Sequence, residues 1–544
     1  MNETKSRSNF KKWMSLFVFS LSLAIIVIDS TVLNVSISIL IRDLNTDIIG
    51  IQWIIAVYSL TMAALMITGG RLGDLYGRKK MFMLGAVIFA IGSAITSFST
   101  SAGMLLFGWS IVEGIGAALM MPAASSLLIS TFITKKERAI AFGVFGGIAA
   151  AASAFGPIFG GYLTTNYSWN WAFRINVVIV LILLALSFVI HESRDTKEKK
   201  QIDWLGVLLS SISIFLIVFG IVKANTYGWF TAKEIFTLGA LTINLGNISI
   251  VPVSIVIGIL LFAFFIIWQV HQERNGKTPL VSIKLFENRQ FNAGVTMTSV
   301  LSLSQAGIMF AIPVFLQAIR HLNAYDTGIA LLPLSLSILF AAPLSAVLSR
   351  KLPPKLLVQF GVLLNIASAI LMISVLNINT TAKDLTLSFV LMGVGMGFVL
   401  SQTNNFTLSA VETYQAGEAS GVSSMLRQLS SALGAAIIGT VFIGTLTTSL
   451  DNNLSSSKLI PEQLKTVISK QIADSASSIE FAGFDSNSQN KKLPVPVQNE
   501  LTTILEKSVV NANVDSLKVG LGFTIISFVA SFALPMYIGG KKED

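Results

Sequence analysis

The chain has 544 residues, of which 53% are hydrophobic and only 12% charged. A water-soluble domain carries about 25% charged residues, so this composition excludes a soluble globular fold. The formal net charge of +10 does not point to nucleic acid, because the cations are confined to short stretches between long apolar runs.

In chain order, a cationic N-terminus (1–13) precedes runs predicted to span a bilayer at 14–40, 51–70, 80–98, 103–130, 138–164, 171–190 and 204–223. Further runs follow at 251–270, 292–318, 325–348, 355–376, 384–410, 417–445 and 516–538. Most approach or exceed the ~20 residues that cross a bilayer as helix. They are continuous rather than alternating, which selects helices over a β-barrel. The expected fold class is an all-α polytopic membrane protein with about fourteen transmembrane helices. The first run is too long for a signal-peptide core and ends in Ile28-Asp29-Ser30-Thr31, so it is expected to stay as a helix.

Lys and Arg recur in every second connection, at 5–12, 71–80, 135–138, 194–200, 274–289, 350–355 and 541–542. The alternate loops hold few, among them Arg42, Lys223 and Lys383. The positive-inside rule then places both termini in the cytoplasm and demands an even number of spans. Residues 191–203, 271–291 and 539–544 become cytoplasmic, and 224–250 and 446–515 external. Within 446–515, Leu459–Ile472 and Gln498–Val509 read as short helices of an external cap, or as parts of a loose tether.

Two motifs stand out. Between spans two and three runs Gly70-Arg71-Leu72-Gly73-Asp74-Leu75-Tyr76-Gly77-Arg78-Lys79-Lys80. Its small residues let two helices and a tight turn approach closely, and its single carboxylate among cations needs specific partners. In span five, Gly156-Pro157-Ile158-Phe159-Gly160-Gly161 follows an alanine-rich run. The first motif resembles the cytoplasmic signature of the major facilitator superfamily. The second resembles the signature of its antiporters, with Ala152 where a glycine is usual. Further stretches are similar to the fourteen-span drug:proton antiporters of that superfamily: Ile28 to Asn34, Trp53 to Tyr58, Gly114 to Ala118, and Gly417 to Gly421 with Arg427-Gln428. The resemblance covers most of 14–445 and the last span.

That resemblance implies two six-helix bundles, 14–190 and 292–538, enclosing a central cavity, with two inserted helices within 204–270. It implies proton-coupled export of small amphipathic molecules by a membrane-embedded protein, expected to be a monomer. It also implies that Gly70, Arg71, Gly73, Asp74, Gly77 and Arg78 form a gate, with Asp74 beside the start of span thirteen near Ala416–Ser420. Gly156, Pro157, Gly160 and Gly161 carry the antiporter motif. One departure is plain: span four has Ser110 and Glu113 where the family has Arg and Gln.

Ionisable groups inside spans cost ~2.5–3.5 kcal/mol or more at the helix centre, so each is a functional candidate. They are Asp29, Glu113, Arg174 and Arg427. Asp29 and Glu113 are the candidates for proton coupling, because a carboxyl group in a dry cavity readily holds a proton. The structural alternatives are local hydrogen bonds from Asp29 to Thr31 or Asn34, an ion pair of Glu113 with Arg174, and a purely structural Arg427. Asn34, Trp53, Tyr58, Gln317, Gln402 and Asn404 are candidate cavity groups. With Asp326 and Glu418 only at span ends, a monovalent cation or neutral amphiphile suits the cavity better than a dication. Export of an endogenous lipid or metabolite is the alternative, and a receptor or structural role a third.

Nucleotide-driven transport fails, because Gly276-Lys277-Thr278 has His271 where a phosphate loop needs glycine. With no cysteine and three histidines scattered at span ends, no metal, cofactor or enzymatic chemistry is expected.

Overall fold

A computed structural model describes residues 2–46, 48–192, 202–238, 241–277, 279–322, 324–411, 415–457, 459–460, 465 and 495–536. Among them, twelve helices are long and apolar enough to cross a membrane. The N-terminal half holds α1 (Asn2–Asp43), α2 (Ile48–Tyr76), α3 (Arg78–Ser97), α4 (Ala102–Thr131), α5 (Lys135–Asn166) and α6 (Asn170–Leu186). Then come α7 (Trp204–Tyr227) and α8 (Ile250–Arg274), joined through a hairpin of β1 (Phe236–Leu238) and β2 (Leu241–Ile243). The antiparallel register pairs Phe236 with Ile243 and Leu238 with Leu241. The C-terminal half holds α9 (Arg289–Ala318), α10 (Ala324–Ala330), α11 (Leu332–Leu348), α12 (Pro354–Val375), α13 (Thr386–Ser409), α14 (Ala416–Ser456) and α15 (Val495–Ser531).

Short polar residues start many of these helices by accepting an otherwise orphaned backbone N–H. Ser101 takes Met104, Thr134 takes Glu137, Ser249 takes Val251, and Asn288 takes both Gln290 and Phe291. Outward faces are apolar. Ile91, Phe107, Leu181, Leu260, Phe340 and Phe532 are all exposed, as a lipid-facing belt requires. Inside, hydroxyls such as Thr96, Thr298 and Thr403 are satisfied by the carbonyl one turn back in their own helix.

The two halves meet along two seams. α2 packs on α14, and α5 packs on α10 and α11. In the first seam Gly70 and Gly417 face each other so closely that a side chain on either would strike the other's carbonyl. In the second, Gly143 and Gly147 of α5 lie against Ala342 and Leu339 of α11, and Gly161 lies against Tyr325 of α10. α7 and α8 interlock through Gly220 and Gly258. They lie beside the first seam: Ser211 donates to the Ala64 carbonyl of α2 at 3.1 Å, and Trp229 donates to Thr440 of α14 at 3.2 Å.

Residues 446–515 differ from the expected external loop. α14 continues to Ser456, and Gln498–Val509 belongs to α15, which is continuous into the last span. Leu446, Leu450 and Leu454 on one helix and Leu501, Ile504 and Val509 on the other are buried in one cluster. The apolar core is thus prolonged beyond the bilayer-sized stretch. Leu459–Ile472 lies almost wholly outside the described residues. The expected loop 224–250 is likewise shorter, because α7 runs to Tyr227.

Candidate functional site

The first constellation is buried within the N-terminal half. Asp29, about two-thirds of the way along α1, is 2% exposed, and Glu113 on α4 is fully buried. Trp109 Nε1–H donates to Asp29 Oδ2 at 2.6 Å, and Asn176 Nδ2–H of α6 donates to Oδ1 at 2.8 Å. The Ser93 hydroxyl of α3 donates to Glu113 Oε1 at 2.7 Å. The two carboxyl groups are near enough to interact electrostatically, and Glu113 Oε2 is buried without a hydrogen-bond partner among the described residues. Tyr58 of α2 stacks on Trp109 with ring centroids 4.5 Å apart and planes 2° apart. Among the described residues no salt bridge joins either acid to a cation.

Local backbone geometry makes this convergence possible. Residues Leu106–Glu113 of α4 form a π-helical segment. Its wider turn re-aims side chains relative to an α-helix and is common at functional sites. Ser110, within that segment, donates to the Ile54 carbonyl of α2 at 2.6 Å. Where the resembled family has Arg, this chain ties α4 to α2 through a hydroxyl.

Several expectations are corrected. Asp29 does not bond Thr31, whose hydroxyl donates to the carbonyls of Val27 and Ile28; the expected bond to Asn34 falls on a side chain outside the described residues. Arg174 does not pair with Glu113. It is exposed on α6, its guanidinium 5.0 Å from the Trp171 ring and 5.8 Å from the Phe98 ring, which is the snorkelling arrangement of a cation near a helix end. Trp53 faces the inserted helices, where Lys223 stands 4.7 Å from its ring. Tyr58 belongs to the acid cluster, and Gln402 donates to Ser345 of α11 at 3.0 Å inside the C-terminal half. Gln317 and Asn404 are half-buried on α9 and α13.

The second constellation is the turn between α2 and α3. Gly77 has φ +113°, a conformation that side chains disfavour. Arg78 bonds Asp74 Oδ1 through Nε at 2.9 Å and Nη2 at 2.7 Å. Asp74 also accepts the backbone N–H groups of Gly417 at 3.2 Å and Glu418 at 3.0 Å. Those are orphan donors at the N-terminus of α14, where the helix dipole favours negative charge. Arg71 and Gly73 complete this turn, Arg71 being buried. Glu418 in turn accepts the Ser282 N–H, while Gln269 Oε1 accepts those of Leu280 and Val281 at 2.7 and 3.3 Å. Through Glu418 the loop after α8 is fastened to the same helix start, while Gln269 ties it back to α8 itself.

In the antiporter motif, Gly156 lies against Thr31 and Gly160 against Val32, so α5 rests closely on α1. Pro157 is on the same helix, its side chain outside the described residues. Arg427 of α14 reaches across to α4, with Met121 Sδ 3.8 Å from its Nη2.

Trp109, Asn176 and Ser93 were not singled out by sequence reasoning. Trp109 and Glu113 are four apart, which one helical face would have suggested, and Asn176 is the lone amide inside an apolar span.

Residues 19–435 match the model of the Major Facilitator Superfamily. The chain is 26% identical over 535 residues to the Tetracenomycin C resistance and export protein of Streptomyces glaucescens, covering 98% of this chain and 92% of that protein. It is 27% identical to the Multidrug efflux pump LfrA of Mycolicibacterium smegmatis, over 84% of this chain and 86% of that one. With Multidrug resistance protein 3 of Bacillus subtilis it shares 26% identity, over 84% and 85%. Among solved structures, that of the human organic anion transporter MFSD10 superposes with a TM-score of 0.56 at 11% identity, over 96% of this chain and 99% of that one, a likeness of fold.

Proposed function

Because the chain belongs to the major facilitator superfamily, we propose that it exports amphipathic small molecules across the cell membrane in exchange for protons. The export proteins among its relatives support the cargo class and direction. The observation that carries proton coupling is the buried acid pair. Asp29 and Glu113 lie side by side without a cation, so at least one of them holds a proton, since two adjacent carboxylates in a low-dielectric interior repel strongly. Trp109, Asn176 and Ser93 supply donors that stabilise the charge left behind when a proton leaves.

In this reading both termini and the Gly70–Arg78 turn face the cytoplasm. The contact of Asp74 with the start of α14 closes that side, and it breaks when the two halves rock to open inward. Proton arrival at the acid pair from outside and release inside drive that exchange. A membrane potential of ~100 mV supplies about 2.3 kcal/mol per charge, enough for roughly 50-fold accumulation per proton.

The test uses everted vesicles carrying Asp29→Asn or Glu113→Gln. Uphill uptake of a fluorescent aromatic amphiphile is expected to fail while counterflow at equal pH persists. Uphill uptake at the wild-type rate in both variants refutes proton coupling through this pair. Absence of any uptake by the unmutated protein refutes export itself.

A further inference from the structure

Arg427 is a charge within a membrane span that the proton pathway does not use. It lies eleven positions into α14, beyond the Ala416 start, about 16 Å along the axis at 1.5 Å per residue. It is half-buried, and its one described hydrogen-bond partner is Met121 Sδ on α4, in the other half of the molecule. Met121 is eight residues from Glu113, ~12 Å along the helix, so the guanidinium and the acid pair occupy different levels of the same rod. At neighbouring positions of α14, Met425, Leu426 and Leu429 belong to the same apolar cluster as Met120 and Met121 of α4. Among the described residues no carboxylate forms an ion pair with it.

A half-buried guanidinium in such a place has lost part of its hydration, and among the described residues no anion compensates it, which is costly for the empty protein. Its planar fork is matched to carboxylates, sulfonates and phosphates, which it binds in pairs of parallel hydrogen bonds. Glu113 and Asp29 do not fill that role, since Trp109, Asn176 and Ser93 already hold them one level away.

We infer that Arg427 is an anion-recognising subsite between the two halves, and that the cargo is an amphiphile with a carboxylate, sulfonate or phosphate on an apolar body. This rests on the exporter reading and narrows it, replacing the monovalent cation or neutral amphiphile expected from the acids alone. The apolar body lies along the methionine and leucine wall, whose adaptable side chains accept varied shapes. The anionic group displaces the weak sulfur contact and completes the guanidinium. Export of a monoanion against inward movement of a proton then carries two charges per cycle in the favourable direction, so transport is steeply dependent on membrane potential.

The experiment uses the purified full-length protein and three probes of one shape: 2-naphthoate, 2-naphthamide and a naphthyl trimethylammonium ion. Binding is read as the probe-dependent rise in melting temperature, and transport as uptake into proteoliposomes under a pH gradient. The unmutated protein is expected to bind naphthoate about tenfold more tightly than the amide, equivalent to ~1.4 kcal/mol. Arg427→Gln should erase that preference, and Arg427→Lys, which keeps the charge and guards against a folding artefact, should retain part of it. Equal binding of amide and naphthoate by the unmutated protein overturns the subsite, as does a preference that survives Arg427→Gln. A variant that keeps the preference but shifts the pH profile of transport assigns Arg427 to the acids and overturns it too. If the amide or the ammonium ion is transported and naphthoate is not, the subsite alone fails. If none of the three is transported, the exporter reading fails with it.

Discussion

Replacing Asp74 with Asn keeps the shape of the latch and removes its charge. In the structure one carboxylate accepts two N–H groups from the start of α14 and two from Arg78. Asn offers one carbonyl oxygen in place of two charged ones, so it holds at most one of the α14 donors at neutral strength. The loss is one charge-assisted hydrogen bond, ~1.5–3 kcal/mol, and the helix-terminus attraction, ~0.3–1 kcal/mol. A net ~2–3 kcal/mol shifts the ratio of joined to separated halves by ~30- to 150-fold. The chain has no cysteine, so Lys80→Cys and Lys351→Cys, both exposed near this end, can carry spin labels without background. Pulsed electron–electron resonance is expected to show one short distance in the parent and an added longer population in the Asp74→Asn protein. An unchanged distance distribution in a variant that is still folded would refute the latch.

Three further outcomes follow from the packing. Glu418→Ala releases the Ser282 N–H and loses ~1.5–3 kcal/mol of restraint on the loop after α8, so trypsin should cut at Arg274, Lys277 or Lys284 several-fold faster; an unaltered cleavage rate counts against the fastening. Leu501→Ala removes a side chain only 4% exposed between the prolonged ends of α14 and α15; a cost of ~2–5 kcal/mol is expected, read as a lowered melting temperature, and a change within error would mean these ends do not pack. At the entry to α5, Lys12 bonds Glu137 at 2.6 Å, and that hydrogen bond, ahead of the one from Thr134, holds the Glu137 carboxyl below its ordinary range. A lowered value contributes stability above the unfolded-state pKa and loses it as pH falls through the folded one. Lys12→Met should therefore destabilise at neutral pH by no more than the ~0–1 kcal/mol of an exposed pair, with the difference fading as pH falls below the ordinary glutamate value of about 4.3 and gone once the lowered folded value is passed; a difference that persists in stronger acid would be inconsistent with the pair.

The seam between α2 and α14 shows how local chemistry and distant contact divide the work. Gly70 to Lys80 announces a tight turn and close helix contact by its glycines alone, while the exposed Ile91, Leu260 and Phe340 face lipid because nothing polar can. The prolonged helices carried a legible signal, Leu446, Leu450 and Leu454 at four-residue spacing, but their polar faces read as loop because hydropathy detects lipid rather than amphipathic packing in water. Arg174 illustrates the opposite error. An opposite charge on a nearby span suggested a pair, yet proximity along a list of spans says nothing about which way each helix turns its face.

By itself the sequence determined the membrane-spanning class, the approximate helix boundaries and the family, because a bilayer forces every spanning segment to satisfy its own backbone and leaves a local record in each run. Only the tertiary structure decided that Asp29 and Glu113 meet, that Trp109 and Asn176 hold them, and that Arg427 stands apart. Those contacts join residues more than 60 positions distant, and depend on a π-helical turn and on helix rotations set by packing across the whole bundle.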